Sequence, residues 1–459
     1  MNKMIKRAWA AAVCGAVAVS SFASLSAFAV SRFSSPIDAM DMAKDMGVGI
    51  NIGNTMEAYD ANGCERSTYT WIPKVGDNTP SDYESCWGAP ITTQAMVDGM
   101  KKAGFKTVRI PVFWGNMMEN DDTWTINEDY LARVAEIVEY CTNDDLYAVV
   151  NIHHFDEFII RRHNTQECAE IIGNLWTQIA EYFKDCDYNV VFEGFNEYLG
   201  GQYFNASGRL VDRTDAEAYE LTNTLNQTFV DAVRATGGKN ADRVLIASGY
   251  WTNIDKTTSS QFKMPTDSAK NKQMVSVHYV DNSMYWERQI GSKKWQNYAV
   301  AQCELLKKAF TSKNIPVFVG ETTSNYPSGN FASNPVIKGS SNCLSYMLRL
   351  ITDYGFVPVL WDTPNGFYDR NNCKIASTSN ATVILGISGM LSGEYDLGDL
   401  NSDGKINYKD VNFAIAISKG KIRPSQTHLD CGDLDRNGRI DASDIMILIQ
   451  AANGNKRLY

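Results

Sequence analysis

Two stretches decide the fold that this sequence encodes: Asn189-Val190-Val191-Phe192-Glu193-Gly194-Phe195-Asn196-Glu197 and Ile315-Pro316-Val317-Phe318-Val319-Gly320-Glu321. Both are rich in Val and Phe and are bounded by turn-forming residues, a pattern that predicts buried parallel strands. Each stretch ends in a glutamate. A carboxylate at the end of such a strand is expected on the barrel face that carries active sites. We therefore expect Glu197 and Glu321 to lie close together.

The same pattern recurs from about Met40 to Leu391, where apolar strands alternate with amphipathic helical stretches. Eight βα units of this kind predict an α/β protein with a (β/α)₈ TIM barrel. A doubly wound open sheet is the alternative, and the absence of a Gly-rich phosphate loop after the first strand argues against it. The predicted strands are Val48–Asn51, Thr107–Pro111, Tyr147–His153, Asn189–Asn196, Arg243–Ala247, Met274–Tyr279, Pro316–Glu321 and Phe356–Trp361.

The N-terminus and the overall charge limit where the protein can be located and which partners it can bind. Residues 1–29 combine a basic start, the apolar stretch Ala8–Val19 and Ala27-Phe28-Ala29, which predicts a cleaved signal peptide. The apolar stretch is too short to span a membrane, so we expect a secreted protein without a membrane span. The net charge of −10 argues against nucleic acid as a partner. We divide the chain into the barrel at 30–391, a linker at 392–397 and a C-terminal module at 398–459, and expect the barrel to be monomeric.

The cysteines do not form a metal-binding pattern. Ten are present in the full chain, with no CxxC spacing and no clustering with histidine, which argues against a zinc site. Cys64 and Cys86 flank one polar insertion, and we predict that they form a disulfide.

The C-terminal module contains a near-repeat. Asp399 to Asp410 and Asp433 to Asp444 each place oxygen side chains at loop positions 1, 3, 5, 9 and 12, with Gly at position 6. This spacing supplies several hard oxygen ligands to one divalent cation, and it predicts two Ca²⁺ sites. An apolar helix is predicted after each loop, and no helical pattern precedes either loop. The predicted ligand sets are Asp399, Asn401, Asp403, Lys405, Asn407 and Asp410, and Asp433, Asp435, Asn437, Arg439, Asp441 and Asp444.

This duplicated loop-helix unit resembles a dockerin, a small all-α calcium-binding module that attaches polysaccharide-degrading enzymes to scaffold proteins bearing cohesins. The resemblance implies a cohesin partner and a place on a cellulosome. In dockerins, loop positions 10 and 11 help to contact the cohesin. Here they are Tyr408 and Lys409 in one copy and Ala442 and Ser443 in the other, so the two copies differ at the contact positions.

Several polar and aromatic residues stand where predicted barrel strands end. Two carboxyls about 5–5.5 Å apart suit a retaining glycosidase, with one protonated and one ionised. Asn196 precedes Glu197 and could bind a sugar hydroxyl, while Arg109 could hold the nucleophile ionised. Trp361 offers a flat apolar face for a pyranose ring. Three histidines also lie at strand ends: His153, His154 and His278.

The barrel closely resembles glycoside hydrolase family 5, also called cellulase family A, from Gly47-Val48-Gly49-Ile50-Asn51-Ile52-Gly53-Asn54-Thr55 to Trp361-Asp362. The resemblance implies that Glu197 is the acid/base and Glu321 the nucleophile, and that catalysis needs no cofactor. The remaining positions that it implies for substrate binding are Asn54, Arg109, His153, His154, Asn196, His278, Tyr279 and Trp361.

One departure concerns the residue that orients the nucleophile. The family usually has His-x-Tyr after the sixth strand, whereas this chain has His278-Tyr279-Val280, so Tyr279 or Tyr285 could take that place. The opening motif and Trp87-Gly88 look most like the endoglucanase and xyloglucanase branch.

The sequence therefore predicts a secreted, retaining endo-β-1,4-glucanase that hydrolyses plant cell-wall β-glucan. A xyloglucanase, mannanase or xylanase on the same barrel is the first alternative. A non-catalytic carbohydrate-binding subunit is a remote one, because it predicts the loss of one glutamate and both are present. A mainly structural calcium-binding protein is disfavoured because the module is a small share of the chain.

Overall fold

The computed structural model describes residues 31–60, 74–118, 123–155, 159–197, 200–327, 336–364, 366–393, 397–435 and 438–455. Eight parallel strands close into a barrel, which confirms the predicted TIM barrel. The strands are β1 (Gly49–Asn51), β2 (Thr107–Ile110), β3 (Tyr147–Asn151), β4 (Val190–Glu193), β5 (Leu245–Ser248), β6 (Gln273–His278), β7 (Val317–Thr322) and β8 (Val357–Leu360). Around the barrel they follow one another in the order β1-β8-β7-β6-β5-β4-β3-β2.

Helices surround the barrel and also form the C-terminal module. Two small antiparallel hairpins join Gln202–Phe204 to Leu210–Asp212 and Tyr368–Asp369 to Lys374–Ile375. The helices are α1 (Ala39–Asp45), α2 (Pro80–Ser85), α3 (Gln94–Lys102), α4 (Glu128–Asn143), α5 (Thr165–Phe183), α6 (Asp215–Ala235), α7 (Ile254–Thr257), α8 (Asn282–Trp286), α9 (Lys293–Ala309), α10 (Ser340–Asp353), α11 (Thr378–Leu391), α12 (Tyr408–Ser418), α13 (Gln426–Gly432) and α14 (Ala442–Ala452).

The barrel interior changes from apolar to polar along its axis. Near the amino ends of the strands, buried residues such as Val149 and Val191 pack with Met42 of α1, which belongs to the same core cluster. Because side chains alternate along a strand, the residue two positions further points the same way. Those positions are Asn151 and Glu193, both fully buried. The strands therefore carry polar groups inward just below the mouth of the barrel.

A bulge in β7 turns the second glutamate toward the mouth. Val319 pairs with Val277, yet the next pair is His278 with Glu321, so Gly320 is an extra residue against β6. Against β8 as well, β7 carries one extra residue between Val319 and Thr322. Without the bulge, Glu321 would point away from the interior, and bulges of this kind re-aim side chains near active sites. A Cβ on Gly320 would lie only 3.1 Å from His278 Nε2, which favours glycine there.

The C-terminal module differs in one respect from the prediction. Helices α12 and α14 follow the two loops as expected, each with an asparagine or aspartate cap, Asn407 and Asp441. However, α13 directly precedes the second loop, so the prediction that no helix precedes either loop was wrong there. The short helix escaped detection because its sequence, from Gln426 to Gly432, has no clear apolar period.

Some sequence predictions fall outside the described residues. These include the signal peptide at 1–29, Cys64 and Asn437. Cys86 carries a free thiol, so the predicted pairing with Cys64 is not supported. Within the described part of the chain, every helix is too short or too polar to cross a membrane.

Candidate active site

Glu197 and Glu321 meet at the carboxyl end of the barrel strands. A carboxylate oxygen of Glu197, one of Glu321 and a ring nitrogen of His278 all lie within 4.8 Å of one another. Glu197 stands four residues beyond the end of β4, whereas Glu321 lies within β7 after the bulge. The Glu197 side chain is 23% exposed and that of Glu321 only 7%. The former is thus the carboxyl nearer to the open side.

Both oxygens of Glu321 have donors. The Tyr279 hydroxyl donates to Oε2 at 2.8 Å, and Arg109 Nη1 donates to Oε1 at 3.3 Å. Burial and the negative charge of Glu321 raise the pKa of Tyr279, which keeps its hydroxyl protonated as a donor. Of the two tyrosines that the sequence left open, Tyr279 is the one whose hydroxyl reaches Glu321.

Arg109 connects four strands through one guanidinium group. Besides Glu321, it donates from Nε to Glu193 Oε2 at 2.6 Å, from Nη1 to Asn51 Oδ1 at 2.9 Å and from Nη2 to Asn196 Oδ1 at 2.8 Å. Its side chain is fully buried. Arg109 therefore reaches Glu321, as expected, but its shortest contact is with Glu193, to which the sequence reasoning gave no role.

Glu193 is itself fully satisfied by its neighbours. Its Oε1 accepts a hydrogen bond from Ser276 Oγ at 2.7 Å, and its Oε2 also accepts one from Asn151 Nδ2 at 3.2 Å. A buried carboxylate needs partners of this kind to offset its lost hydration. The sequence does contain a pointer to it. A glutamate between Phe192 and Gly194 in an otherwise apolar strand requires a buried cation nearby, and Arg109 on β2 provides one.

The two glutamates influence each other's protonation. Burial and the charge of Glu197 raise the pKa of Glu321 above its usual value. Burial also acts to raise the pKa of Glu197, but the hydrogen bond and charge of His278, together with Arg109, lower it overall. His278 Nδ1 lies 2.7 Å from Glu197 Oε1. In a coupled pair of this kind the proton belongs to both carboxyls jointly.

The remaining predicted residues follow the carboxyl ends of barrel strands. The His153 ring stacks against Trp361 with centroids 6.1 Å apart, and it meets the His154 ring edge-on at 4.5 Å. Burial lowers the pKa of His153 and brings that of His154 to about 4, so both are neutral near pH 7. The backbone N–H of Asn54 donates to Glu57, at a left-handed φ of 60°.

An open cavity of about 470 Å³ lies beside the glutamates, between the ends of β6, β7 and β8. Tyr279 and Trp361 line its inner part, and Trp286 on α8 lines its rim. The Trp286 side chain is 76% exposed, although its Nε1 donates to Asn282 Oδ1 at 2.9 Å and its ring contacts Tyr285 edge-on. An exposed indole held in one orientation is suited to stacking on a sugar ring. The sequence reasoning did not single it out.

The family model described as Cellulase (glycosyl hydrolase family 5) matches residues 68–366. The chain belongs to glycosyl hydrolase family 5. Endoglucanase A of Clostridium longisporum is 33% identical to this chain over 357 residues. The match covers 75% of this chain and only 63% of the length of that relative. A xyloglucan-specific endo-β-1,4-glucanase of Bacteroides ovatus is 29% identical over 76% of this chain and 70% of its own length.

A solved structure of a family 5 enzyme from Prevotella bryantii superimposes on this family 5 barrel with a TM-score of 0.64. The two are 30% identical, and the match covers 77% of this chain and 99% of the other. The match thus extends over nearly all of a solved family 5 catalytic structure.

The second C-terminal loop brings carboxylate oxygens together, and the first loop shares part of its hydrogen bonding. Carboxylate oxygens of Asp433, Asp435 and Asp444 converge to within 4.8 Å of one another. In the first loop, Asp399 is nearly buried and accepts the backbone N–H groups of Asp403 and Gly404. In the second loop, Asp433 accepts the backbone N–H of Gly438 in the same way as Asp399 accepts that of Gly404. Hard oxygen donors in this arrangement fit Ca²⁺.

The family comparison covers this module separately. Residues 397–453 match the model for the dockerin type I domain, so this family 5 protein carries a dockerin. Dockerin type I domains bind calcium and imply a cohesin partner.

Proposed function

We propose that this chain is a secreted endo-β-1,4-glucanase that hydrolyses plant cell-wall β-glucan by double displacement. The observation that carries the proposal is the approach of Glu197 and Glu321, whose carboxylate oxygens come within 4.8 Å. Retaining glycosidases hold their two carboxyls about 5–5.5 Å apart, whereas inverting ones leave about 6.5–9.5 Å for a water. The distance supports a direct attack on the sugar by one carboxylate.

In the first step, Glu321 attacks the anomeric carbon and the bond to the leaving sugar oxygen breaks. Arg109 and Tyr279 hold both oxygens of Glu321, which orients it for attack. Glu197 gives its proton to the leaving oxygen. His278 Nδ1 lies 2.7 Å from Glu197 Oε1 and can accept a hydrogen bond from the protonated form of Glu197.

In the second step, the Glu197 carboxylate takes a proton from water, and the resulting nucleophile displaces Glu321 from the anomeric carbon. This restores both groups to their starting states. Asn196, fixed by Arg109, has its amide nitrogen left to donate to a sugar hydroxyl. The stacked rings of His153 and Trp361 supply the apolar floor below the sugar.

Xyloglucan is the second candidate substrate. The Bacteroides ovatus relative is named as specific for it. The 470 Å³ cavity next to Tyr279 and Trp361 is the feature of this chain that favours it, because the cavity opens beside the main cleft and could hold a sugar branch. Mannan and xylan have no comparable feature in their favour.

The dockerin completes the proposed setting. We infer that two Ca²⁺ ions occupy its loops, that a cohesin on a scaffold protein binds it, and that the enzyme acts outside the cell. Three carboxylates converge in the second loop. The Gly404 N–H donates to Asp399 in the first loop as the Gly438 N–H donates to Asp433 in the second, which supports one ion in each loop. The ligands would be the predicted oxygen groups of each loop, held in place by Gly404 and Gly438 at positive φ.

A comparison of two alanine variants tests the roles of the glutamates. Glu321→Ala should lose turnover on every substrate, because no nucleophile remains. Glu197→Ala should still cleave an aryl cellobioside with a good leaving group, and added azide should restore turnover and give a β-linked azide. Identical behaviour of the two variants would overturn the assignment, and an α-linked azide would overturn the double displacement.

A panel of soluble polysaccharides tests the substrate. We expect carboxymethylcellulose or mixed-linkage β-glucan to be cleaved fastest, with a rapid fall in viscosity that marks internal cleavage. Faster cleavage of xyloglucan would establish the second candidate instead. Cleavage of mannan or xylan alone would contradict both.

A further inference from the structure

A buried ion pair joins the barrel wall to the calcium module. Arg349 on α10 is 3% exposed, and its Nη2 donates to the backbone carbonyl of Asp430 on α13 at 2.7 Å. The same nitrogen lies 3.8 Å from Asp430 Oδ1. A charge that is removed from water loses much hydration energy, so a buried arginine requires such partners. The partners of Arg349 include a residue of the other module.

Two glycines bring the surfaces into contact. A Cβ on Gly386, within α11, would lie 2.6 Å from Asp430 Oδ1. Likewise a Cβ on Gly438, in the second calcium loop, would lie 2.5 Å from Asn342 Nδ2 on α10. Glycine within a helix costs about 0.5–1 kcal/mol relative to alanine. Its presence at position 386 is explained by the close approach of α13.

The docked helix continues directly into the calcium ligands. Helix α13 ends at Gly432, and Asp433 at loop position 1 follows at once. The first loop is attached to the same helix, because the backbone N–H of Gly398 donates to the carbonyl of Cys431 at 2.8 Å. Cys431 is 1% exposed. The contact with the barrel thus fixes the segment from which both loops begin.

We propose that the barrel face formed by Asn342, Arg349 and Gly386 is a docking surface for α13 and the second calcium loop, and that docking and calcium binding are coupled. Docking holds Asp433 near its ligand position and raises the calcium affinity. Calcium in turn orders the loop and strengthens docking, since such coupling is reciprocal. The module is therefore carried in a fixed orientation on the enzyme. This inference goes beyond hydrolysis and uses only the proposed calcium occupancy.

Two variants of the full chain test the coupling. Arg349→Gln removes the ion pair, and Gly386→Val inserts a side chain into the contact although it improves helix propensity. Each should weaken calcium binding, measured by calorimetric titration, by about 5-fold or more. Leu385→Val, at a 52% exposed neighbouring position of α11, is the matched control and should bind calcium like the wild type.

A second readout follows docking itself. In the wild type, hydrogen exchange of the α13 amides should slow on addition of calcium, and small-angle scattering should show a compact particle that extends when chelator is added. In Arg349→Gln and Gly386→Val, the particle should be extended even with calcium. Unchanged affinity and unchanged scattering in both variants would overturn the proposal. Failure of the wild type to bind calcium would overturn it too, while leaving the glucanase proposal untouched.

Discussion

Tyr279 contacts Glu321 twice, through its side chain and through its backbone. Its hydroxyl donates to Glu321 Oε2 at 2.8 Å, and its backbone N–H donates to the Glu321 carbonyl oxygen at 2.8 Å. The backbone of Tyr279 has a left-handed φ of 44°, which is uncommon for a bulky residue. Such strain tends to persist where function requires it. Here it turns the ring back over the neighbouring strand toward the proposed nucleophile.

The variant Tyr279→Phe should lower kcat by about 10- to 100-fold, because a hydrogen bond to a charged group contributes about 1.5–3 kcal/mol. KM should change little if the bond matters mainly for orienting Glu321. Steady-state kinetics on an aryl cellobioside measure both. Tyr285→Phe, another cleft tyrosine, serves as the control, and an equal loss in both variants would contradict this role for Tyr279.

The barrel could be predicted from the sequence because its strands are continuous apolar runs, and few other structures fit such runs. All eight predicted strands are present, although β4 ends at Glu193 rather than at Asn196. The difference arises because Gly194 to Asn196 leaves the ladder while its backbone still bonds to the neighbouring strands. Helix α13 lacked such a pattern and was missed.

The orientation of the site residues could not be predicted in the same way. Alternation along β7 would place Glu321 outside the barrel, and only the extra residue at Gly320 reverses this. A bulge depends on register with two neighbouring strands, which the sequence of one strand does not contain. The choice between Tyr279 and Tyr285 likewise depended on one left-handed backbone angle.

Glu193→Gln should shift the acid limb of the pH–rate profile to lower pH. Arg109 is shared between Glu193 and Glu321, so removing the charge of Glu193 leaves Glu321 with a stronger cation and a lower pKa. The protein should also lose stability, because a buried pair has lost one charge. Glu84→Gln, which breaks a buried pair with Arg133 elsewhere, should destabilise without moving the profile. An unmoved profile in Glu193→Gln would show a purely structural role.

Glu57 should make stability depend on pH. Burial raises its pKa to about 7 from a usual value of 4.5, against the opposing effects of Asn54, Thr55 and Arg370. The folded state therefore binds this proton more tightly than the unfolded state does. The proton stabilises the fold fully below about pH 4.5, and this stabilisation is lost as pH rises from about 4.5 through about 7. Relative to Glu57→Gln, the free energy of unfolding of the wild type should fall by about 3 kcal/mol across that range. Denaturant unfolding in saturating calcium measures it, and a pH-independent difference would contradict the prediction.

Trp286→Ala should weaken the use of long substrates more than of short ones. The indole is largely exposed and held by Asn282, so it can stack on a sugar without reorganisation. With the about 0.5–1.5 kcal/mol of a pair of aromatic rings as the scale for this contact, KM on a polysaccharide should rise by about 2- to 10-fold. Hydrolysis of an aryl glucoside too short to reach the rim of the cavity should be unchanged. Tyr182→Ala, at an exposed aromatic of α5, is the control and should alter neither. Equal losses of activity on long and short substrates would show that Trp286 stabilises the cleft wall and does not contact the sugar.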